Sequence, residues 1–208
     1  MSRIRKSKDE RRRDIVEAAR YLYEKQGLTK TSVQNIADEA GVSRTLFYHY
    51  FNDKTELTSA VLDAYIAEYL IALKEWNKNR RIGDIEAGLE SIIHCYRTSV
   101  SGSHPFLKAL STKENAVLYL EFLNRVASET AAYICDTTVC DYSKFHDMKI
   151  DHVYDTFYLL IFGIIGYLRH NPDASDEIIA DLIAQTLHME RGKNTVSDAI
   201  SSEAEAKS

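Results

Sequence analysis

The sequence predicts an all-α fold, and three observations support this prediction. Only two prolines and eight glycines interrupt 208 residues, so few positions break a helix. No stretch alternates apolar and polar residues as a half-buried strand would. Several stretches instead repeat apolar residues at spacings of three and four, which places them on one face of a helix. The length suffices for a small N-terminal module and a helical domain with its own core.

Charge is distributed unevenly along the chain. The net charge is −5, yet residues 1–55 hold 12 Lys or Arg against 8 Asp or Glu, which gives +4 there and −9 in the remainder. A basic segment on an acidic body can bind phosphates at one end and repel them at the other. This distribution favours a nucleic-acid binder whose contacts lie near its N-terminus.

Residues 1–8 are predicted to form a flexible basic arm, because they carry Arg3, Arg5, Lys6 and Lys8 with almost nothing apolar. Such a segment is either a solvated tail or an electrostatic arm that reaches phosphates or the minor groove.

The first helix is predicted over about residues 9–26, with Gly27 ending it. Three arginines at positions 11–13 oppose the helix dipole, a cost that a nearby phosphate would offset. The helix is expected to support the short helices that follow. Its apolar stripe consists of Ile15, Ala18, Ala19, Leu22 and Tyr23.

Residues 31–54 predict two short helices around a tight turn. Thr31 is the predicted N-cap of the first, and Gln34 three residues later completes a capping box. Gly41 ends this helix, because glycine reaches the left-handed conformation without a Cβ clash. Ser43 is the predicted N-cap of the second. Two short helices that share a small core form a helix-turn-helix, whose second helix typically enters the major groove of DNA.

The residues after this turn make the pattern more specific. Asp53 is the predicted cap of a further helix, with Glu56 at its third position. Residues 10–60 resemble the DNA-binding module of the TetR family of transcriptional regulators, with one departure at Ser32, where the family has threonine. The matching residues are Ile36, Ala37, Ala40, Gly41, Val42, Ser43, Tyr48, Tyr50, Phe51, Lys54 and Leu57.

Eight residues of this module are predicted to contact double-stranded DNA. Arg44 can pair with guanine O6 and N7, and small apolar side chains can contact thymine methyl groups. Tyr48 and Lys54 match phosphate-binding positions of the resembling family. Two alternatives stay open, because Leu46 also suits the core and Tyr48 also suits packing against the next helix. The base candidates are Arg44, Thr45, Leu46 and His49, and the phosphate candidates are Ser32, Ser43, Tyr48 and Lys54.

A long helix is predicted from Asp53 to about Lys78, because apolar positions continue without a breaker. It starts in the DNA module, so it is the obvious rigid lever to the rest of the chain. We assign residues 9–52 to the helix-turn-helix domain, residues 53–191 to a helical ligand-binding and dimerisation domain, and residues 192–208 to a disordered tail rich in Ser, Ala, Glu and Lys.

Further helices are predicted over residues 84–100 with Asp84 as the cap, in a short segment from Pro105, and over residues 113–135. Residues 137–147 are polar and mixed, which indicates a loop.

Residues 157–168 read FYLLIFGIIGYL and are apolar on every side, so this helix needs cover all round. Asn171 and Pro172 end it, and Ser175 or Asp173 caps a last helix. Paired with their copies, the two helices predict a four-helix homodimer interface, and an internal hairpin is the alternative. The interface candidates are Phe157, Ile161, Ile164, Leu168, Ile179 and Ile183.

Thirteen tyrosines against seven phenylalanines indicate a cavity with amphipathic walls, since a buried tyrosine needs a partner for its hydroxyl. His94 and Arg97 could orient an acidic or hydroxylated small molecule, although the aromatic residues also suit a plain core. The candidates for an effector of unknown identity are Trp76, His94, Arg97, Phe106, Tyr119, Phe122, Tyr133, His152 and Tyr158.

No cofactor, metal or membrane segment is expected. Cys95, Cys135 and Cys140 are odd in number and lack metal-ligand spacing, which suits a reducing cytoplasm. Buried inert thiols are the favoured reading of Cys135 and Cys140, with a redox pair as the alternative. The longest apolar run has twelve residues, too few to span a bilayer, and the basic N-terminus does not read as a signal peptide.

The resemblance therefore implies that the protein is a transcriptional regulator and not an enzyme. It implies a homodimeric repressor that leaves a palindromic operator when a small molecule binds. The alternative is a helical small-molecule enzyme or carrier with a purely structural N-terminal hairpin. Against it, no cluster has ligand or triad spacing, and His94 and Cys95 would point about 100° apart on a helix.

Overall fold

The computed structural model describes residues 7–80, 85–99, 105–110, 112–144 and 149–189. These residues form helices and turns and contain no strand, which confirms the all-α prediction. The helices are α1 (Lys8–Gln26), α2 (Val33–Glu39), α3 (Arg44–Tyr50), α4 (Lys54–Asn79), α5 (Ile85–Ser99), α6 (Pro105–Leu110), α7 (Ala116–Ile134), α8 (Cys140–Tyr142), α9 (Val153–His170) and α10 (Asp176–Thr186). A 3-10 turn (Lys113–Asn115) precedes α7 and a π turn (Cys135–Val139) follows it.

The chain divides into two compact units. The N-terminal unit comprises Met1–Glu68 and Gly102–Phe122, and the C-terminal unit comprises Tyr69–Ser101 and Leu123–Ser208. Helix α4 is continuous and contributes residues to both. The predicted arm at residues 1–6, Asp84 and the predicted tail at 192–208 lie outside the described residues.

Aromatic stacking forms the centre of the N-terminal unit. The Phe106 ring of α6 stacks on Tyr65 of α4 at 4.6 Å between centroids, and on Tyr23 of α1 at 5.9 Å. Burial raises the pKa of Tyr23 to about 12. The Tyr23 hydroxyl lies 3.0 Å from Thr58 Oγ1, and Thr58 donates to the Lys54 carbonyl, so Tyr23 is the donor in this pair. Both buried hydroxyls are therefore satisfied, as a low-dielectric core requires.

Polar contacts join α1 to α4 at the edge of this core. The Tyr65 hydroxyl donates to Glu24 Oε1 at 2.5 Å, and the Arg20 guanidinium lies 4.4 Å above the Tyr65 ring while it pairs with Glu68. Burial and the hydrogen bond to Glu24 raise the pKa of Tyr65. The phenol therefore stays neutral and holds the carboxylate.

The helix starts differ from the prediction at two places. Helix α1 begins at Lys8, within the predicted arm, because Ser7 and Glu10 form a capping box. The capping box of α2 consists of Ser32 and Asn35, so the prediction of Thr31 and Gln34 was wrong. The physical reason is that Thr31 is buried and donates its hydroxyl to the Gly27 carbonyl at 2.8 Å. Its side chain is therefore committed to the end of the preceding helix.

Gly41 makes the turn between α2 and α3. Its φ of +62° lies in the left-handed region, as predicted, and Val42 N–H then donates to the Ala37 carbonyl at 2.9 Å. Val42 is buried and fills the turn.

Substitution of Gly41 by alanine should lower the free energy of unfolding by about 1–2 kcal/mol, because a Cβ there meets no atom of the described residues within 4 Å and only the backbone strain acts. Gly88→Ala in α5 is the matched control, since its Cβ would also meet open space but its φ is not positive. That change should stabilise the protein by roughly 0.5–1 kcal/mol. Urea unfolding measures both, and the same sign for the two variants would contradict this account of the turn.

Residues 137–147 do not form the predicted loop as far as they are described. The π turn and α8 continue the helix to Tyr142. Partners on α4 and directly after it satisfy polar side chains that suggested a loop: Thr138 donates to Asn77 at 3.0 Å, and Arg80 pairs with Asp141 at 2.6 Å. Residues 145–148 lie outside the described part.

The C-terminal unit packs α5, α7, α9 and α10 with the end of α4. Ser175 accepts a hydrogen bond from Ile178 N–H and caps α10, which decides between the two predicted caps. Among the described residues, every helix is too short or too polar to cross a bilayer. The buried apolar side chains of this unit include Leu73, Leu89, Ile93, Val126, Ala127, Ala131, Ile165, Leu168, Ile179, Ala180 and Ala184.

Candidate functional site

Helix α3 is fixed at its start and along its inner face. Ser43 accepts a hydrogen bond from Leu46 N–H at 3.1 Å and caps the helix, as predicted. The Phe47 side chain is fully buried and contacts the ring of Phe51, with 5.9 Å between centroids. Because Phe47 points into the core, the residues about half a turn from it, Thr45 and His49, are directed outward.

The outer face of α3 carries four of the eight predicted DNA contacts. Arg44, Thr45, Tyr48 and His49 are all exposed, and their i, i+1, i+4, i+5 spacing gives them one surface. The Arg44 guanidinium lies 5.6 Å from the Tyr48 ring centroid, and its Nη2 lies 3.4 Å from the Tyr48 hydroxyl. Leu46 is half-buried. The structure thus brings together one cation, two hydroxyls and one imidazole.

Lys54, a predicted phosphate contact, has a partner inside the protein. Its ammonium donates to the Leu28 carbonyl at 2.5 Å and lies 5.9 Å from the Tyr23 ring centroid. The group is half-buried, and burial lowers its pKa. Lys54 therefore fastens the start of α4 to the segment that follows α1.

Ser32, the remaining phosphate candidate, is exposed at the start of α2. Its hydroxyl accepts from Asn35 N–H at 3.1 Å and lies 2.7 Å from Asn35 Oδ1. Near the start of α1, Arg12 is exposed and its guanidinium lies 4.8 Å from the ring centroid of Phe51. Arg12 therefore adds a cation to the N-terminal unit, although it was not among the eight predicted DNA contacts.

The C-terminal unit contains an apolar cavity of about 70 Å³. Its walls are almost wholly apolar. Among the lining residues, Thr130 donates its hydroxyl to the Tyr69 oxygen at 3.2 Å. None of the nine predicted ligand residues lines it. The lining residues are Tyr69, Ile92, Ile93, Tyr96, Thr130, Ile134, Ile161, Ile164, Ile179 and Ile183.

The predicted ligand residues lie elsewhere, and several of them bind neighbouring side chains. Trp76 Nε1 donates to Ser91 at 2.8 Å, Tyr158 donates to Asn124 at 2.6 Å, and Tyr133 accepts from Asn77 at 3.2 Å.

Arg97 binds Asp176 and the Pro172 and Ala174 carbonyls. His94 and His152 are exposed, whereas Phe106, Tyr119 and Phe122 belong to the N-terminal unit.

The predicted interface residues mostly face the interior of the single chain. Leu168 and Ile179 are buried, and Ile161, Ile164 and Ile183 line the cavity. Phe157 is half-buried. The apolar side chains that α9 and α10 expose are Tyr154, Leu159, Tyr167, Ile178 and Leu182.

The cysteines give no sign of a metal site. Within the described residues, no group of three or more His, Cys, Asp or Glu could hold an ion. Cys135 is half-buried, which raises the pKa of its thiol. Cys140 is exposed and its Sγ lies 3.6 Å from the Cys135 carbonyl, so the two thiols differ in access to solvent.

Comparison with known proteins agrees with the helix-turn-helix geometry. The family described as "Bacterial regulatory proteins, tetR family" matches residues 15–61. The HTH-type transcriptional regulator TtgR of Pseudomonas putida is 40% identical over 62 residues, which cover 30% of this chain and 30% of that protein. The HTH-type transcriptional repressor KstR2 of Rhodococcus jostii is 26% identical over 129 residues, or 62% of this chain and 58% of that protein. The chain therefore matches less than two thirds of the length of these relatives.

Solved structures match nearly the whole fold. RolR in complex with resorcinol has a TM-score of 0.62 at 16% identity, with 90% of this chain and 92% of that chain covered. The fatty acid degradation regulator FadR from Bacillus halodurans has a TM-score of 0.60 at 18% identity, with 88% and 96% covered. At such identities the likeness shows the fold, including the helical C-terminal part.

Proposed function

We propose that this chain, whose residues 15–61 match the TetR family, is a DNA-binding transcriptional repressor. In this proposal it acts in the cytoplasm as a homodimer and leaves a palindromic operator when a small molecule binds its C-terminal domain. Residues 9–52 would bind DNA and residues 53–191 would bind the effector and the second copy. The exposed surface of α3 around Arg44 and Tyr48 is the observation that carries the proposal.

The contacts divide into two kinds. Arg44, Thr45 and His49 share the exposed face that would enter the major groove, so we assign them to base edges. Ser43 caps the start of α3 and Tyr48 follows five residues later, and we assign both hydroxyls to phosphates. Lys54 would serve both the Leu28 carbonyl and a phosphate, because an ammonium has three N–H donors. Leu46, which is half-buried, would contribute to the core and touch the groove with its remaining surface.

Binding to the DNA upstream of the protein's own gene tests this function. We expect Tyr48→Phe to weaken binding by at least about a hundredfold on all duplexes alike, since a hydrogen bond to a charged group contributes about 1.5–3 kcal/mol and a dimer loses two of them. Tyr21→Phe is the matched control, because Tyr21 on α1 is 47% exposed and Tyr48 is 44% exposed. Fluorescence anisotropy at several salt concentrations measures both variants. Equal affinities for Tyr48→Phe and the unsubstituted protein would contradict the assignment.

A stripe of apolar residues supports a homodimer. Leu159 and Tyr167 of α9 are 67% and 39% exposed, with Gly163 between them at the same helical spacing. Ile178 and Leu182 of α10 are 46% and 39% exposed and are also four residues apart. A Cβ at Gly163 would meet no atom of the described residues within 4 Å, which leaves room there for a second copy to approach closely. We therefore propose that this stripe forms the interface.

Leu159→Arg should convert the dimer to monomers in sedimentation velocity experiments. In a two-fold interface each substitution acts twice, so a loss of about 2 kcal/mol per site weakens association roughly a thousandfold. Leu120→Arg is the control, because Leu120 on α7 is 56% exposed and belongs to the N-terminal unit. Both variants should keep the helical circular dichroism of the parent. A Leu159→Arg protein that remains dimeric at micromolar concentration would refute this interface.

Helix α4 provides the proposed link between effector and DNA. Its first residue, Lys54, holds the segment after α1, and its later residue Tyr69 lines the cavity. A molecule bound against Tyr69 would displace the helix and change the separation of the two α3 helices in the dimer. Effector and DNA would then weaken each other's binding by the same coupling free energy, typically about 1–3 kcal/mol.

A further inference from the structure

The walls of the C-terminal cavity present hydrocarbon to whatever enters it. Seven of the ten lining residues are isoleucines, and none of the described residues that line the cavity is charged. Tyr69, Tyr96 and Thr130 carry hydroxyls, but these oxygens form almost no part of the wall. A charged or hydrogen-bonding group placed there would lose its hydration and gain little in return, which is unfavourable.

The buried hydroxyls beside the cavity also interact with each other. Tyr69 and Thr130 are 5% and 2% exposed, and Thr130 donates its hydroxyl to the Tyr69 oxygen at 3.2 Å. Burial raises the pKa of Tyr69 to about 12, so the phenol is neutral at pH 7. The cavity therefore offers neither a charge nor a polar surface to a ligand, and only apolar groups suit it.

The volume limits the size of the group that enters. A cavity of about 150 Å³ is enough to hold benzene, and this cavity has about half that volume, 70 Å³. It therefore accommodates roughly three or four carbon atoms without rearrangement. Apolar cavities typically stay dry, so an entering hydrocarbon group gains contacts with the walls without having to displace bound water.

The lining residues differ in exposure, which indicates how a longer molecule reaches the cavity. Tyr69 of α4 and most of the other lining residues are buried and close its inner side. Four isoleucines of α5, α9 and α10 are only half-buried, so the cavity extends towards the surface on their side. These four are Ile92, Ile161, Ile164 and Ile183.

We propose that the effector inserts an unsubstituted alkyl end of roughly three or four carbons into this cavity and keeps its polar groups outside it. Because the proposed function requires an effector, this proposal rests on that function. The inserted end would contact Tyr69 on α4, the helix on which the proposed regulation depends. It would also contact α9 and α10, whose exposed side chains form the proposed dimer interface.

Two probes with eight heavy atoms each test this requirement, namely heptan-1-ol and hexane-1,6-diol. They differ only in that one end of the diol carries a hydroxyl where heptan-1-ol has a methyl group. Each is titrated into the full chain without DNA, and the isoleucine methyl signals of the cavity are followed by NMR. We expect the diol to bind at least about tenfold more weakly, because either of its ends would bury a hydroxyl without a partner.

Three variants connect this difference to the cavity. Ile92→Phe fills the cavity and should abolish the response of its methyl groups to heptan-1-ol. Ile71→Phe is the matched control, because Ile71 on α4 is 62% exposed and does not line the cavity, so this variant should bind as the unsubstituted protein does. Ile93→Ala enlarges the cavity and should bind benzene more tightly than the unsubstituted protein. Circular dichroism checks that each variant keeps its helices.

Four results would overturn the proposal. The first is equal affinity for the two probes, and the second is unchanged binding of heptan-1-ol in Ile92→Phe. The third is benzene binding that is no tighter in Ile93→Ala. The fourth is a lack of response of the cavity methyl groups to either probe, which would show that the cavity is a packing void only.

These results are independent of the test of DNA binding. A protein that binds operator DNA but does not distinguish the two probes would contradict the effector class and leave the repressor function intact. A protein that prefers heptan-1-ol as expected but ignores DNA would contradict the repressor function and leave the cavity's ligand class intact.

Discussion

Arg44→Ala should weaken operator binding by at least about thirtyfold. A bidentate arginine contact to guanine contributes about 1–3 kcal/mol, and a dimer on a palindrome loses two such contacts. In the free protein the Arg44 side chain is exposed, and its guanidinium carbon lies 5.6 Å from the Tyr48 ring centroid. Fluorescence anisotropy on the operator and on an unrelated duplex measures the effect.

Two further variants separate base contact from general charge. Arg44→Lys keeps the charge but cannot form the bidentate pair, so its loss on the operator should approach that of Arg44→Ala. Lys78→Ala removes a cation from the C-terminal unit, where Lys78 is exposed, and should leave affinity nearly unchanged. If Arg44→Lys bound the operator as the unsubstituted protein does, Arg44 would contact a phosphate and not a base.

Phe106→Ala should lower the free energy of unfolding by about 3–5 kcal/mol, because it empties a fully buried ring position. The ring is stacked between Tyr23 and Tyr65, which link it to α1 and α4. Such a loss is a large part of the roughly 5–15 kcal/mol that stabilises a typical domain. Urea unfolding, followed by circular dichroism, measures the change.

Val117→Ala provides the control for this core substitution. Val117 is 82% exposed on α7, so its truncation should change stability by no more than about 0.5 kcal/mol. A loss below about 1 kcal/mol for Phe106→Ala would mean that the aromatic stack contributes little to the free energy of unfolding. It would then contradict the assignment of Phe106 to the core.

The N-terminal module was predictable because its signals are local. Gly41, Ser43 and the apolar spacing of α2 and α3 act over a few residues, and the structure places them as predicted. The error at Thr31 arose because both Thr31 and Ser32 can cap a helix. Only the burial of Thr31 against the end of α1 decides between them.

The cavity was not predictable from the same kind of signal. Ile161 and Ile183 were predicted as interface residues, and only the packing of separate helices leaves space beside them. Trp76 and Tyr158, which were predicted to bind the ligand, instead donate hydrogen bonds to Ser91 and Asn124. Sequence spacing shows which residues share a helical face, but it does not show which neighbouring helix that face meets.

The exposed stripe of α9 shows the same limit. The run at residues 157–168 is apolar all round, so its period does not identify an outer face. The fold buries Leu168 and leaves Leu159 and Tyr167 outside. We still propose that a second copy packs against α9, but through its exposed residues Leu159 and Tyr167.

Hydroxyl-radical footprinting on the DNA upstream of the gene tests the central claim most directly. Two copies of α3 presented by one dimer should protect two short stretches on one face of the duplex, about 10 base pairs apart and symmetric about a pseudo-palindrome. A single protected stretch with no symmetry, or no protection even at low salt where phosphate contacts are strongest, would contradict it.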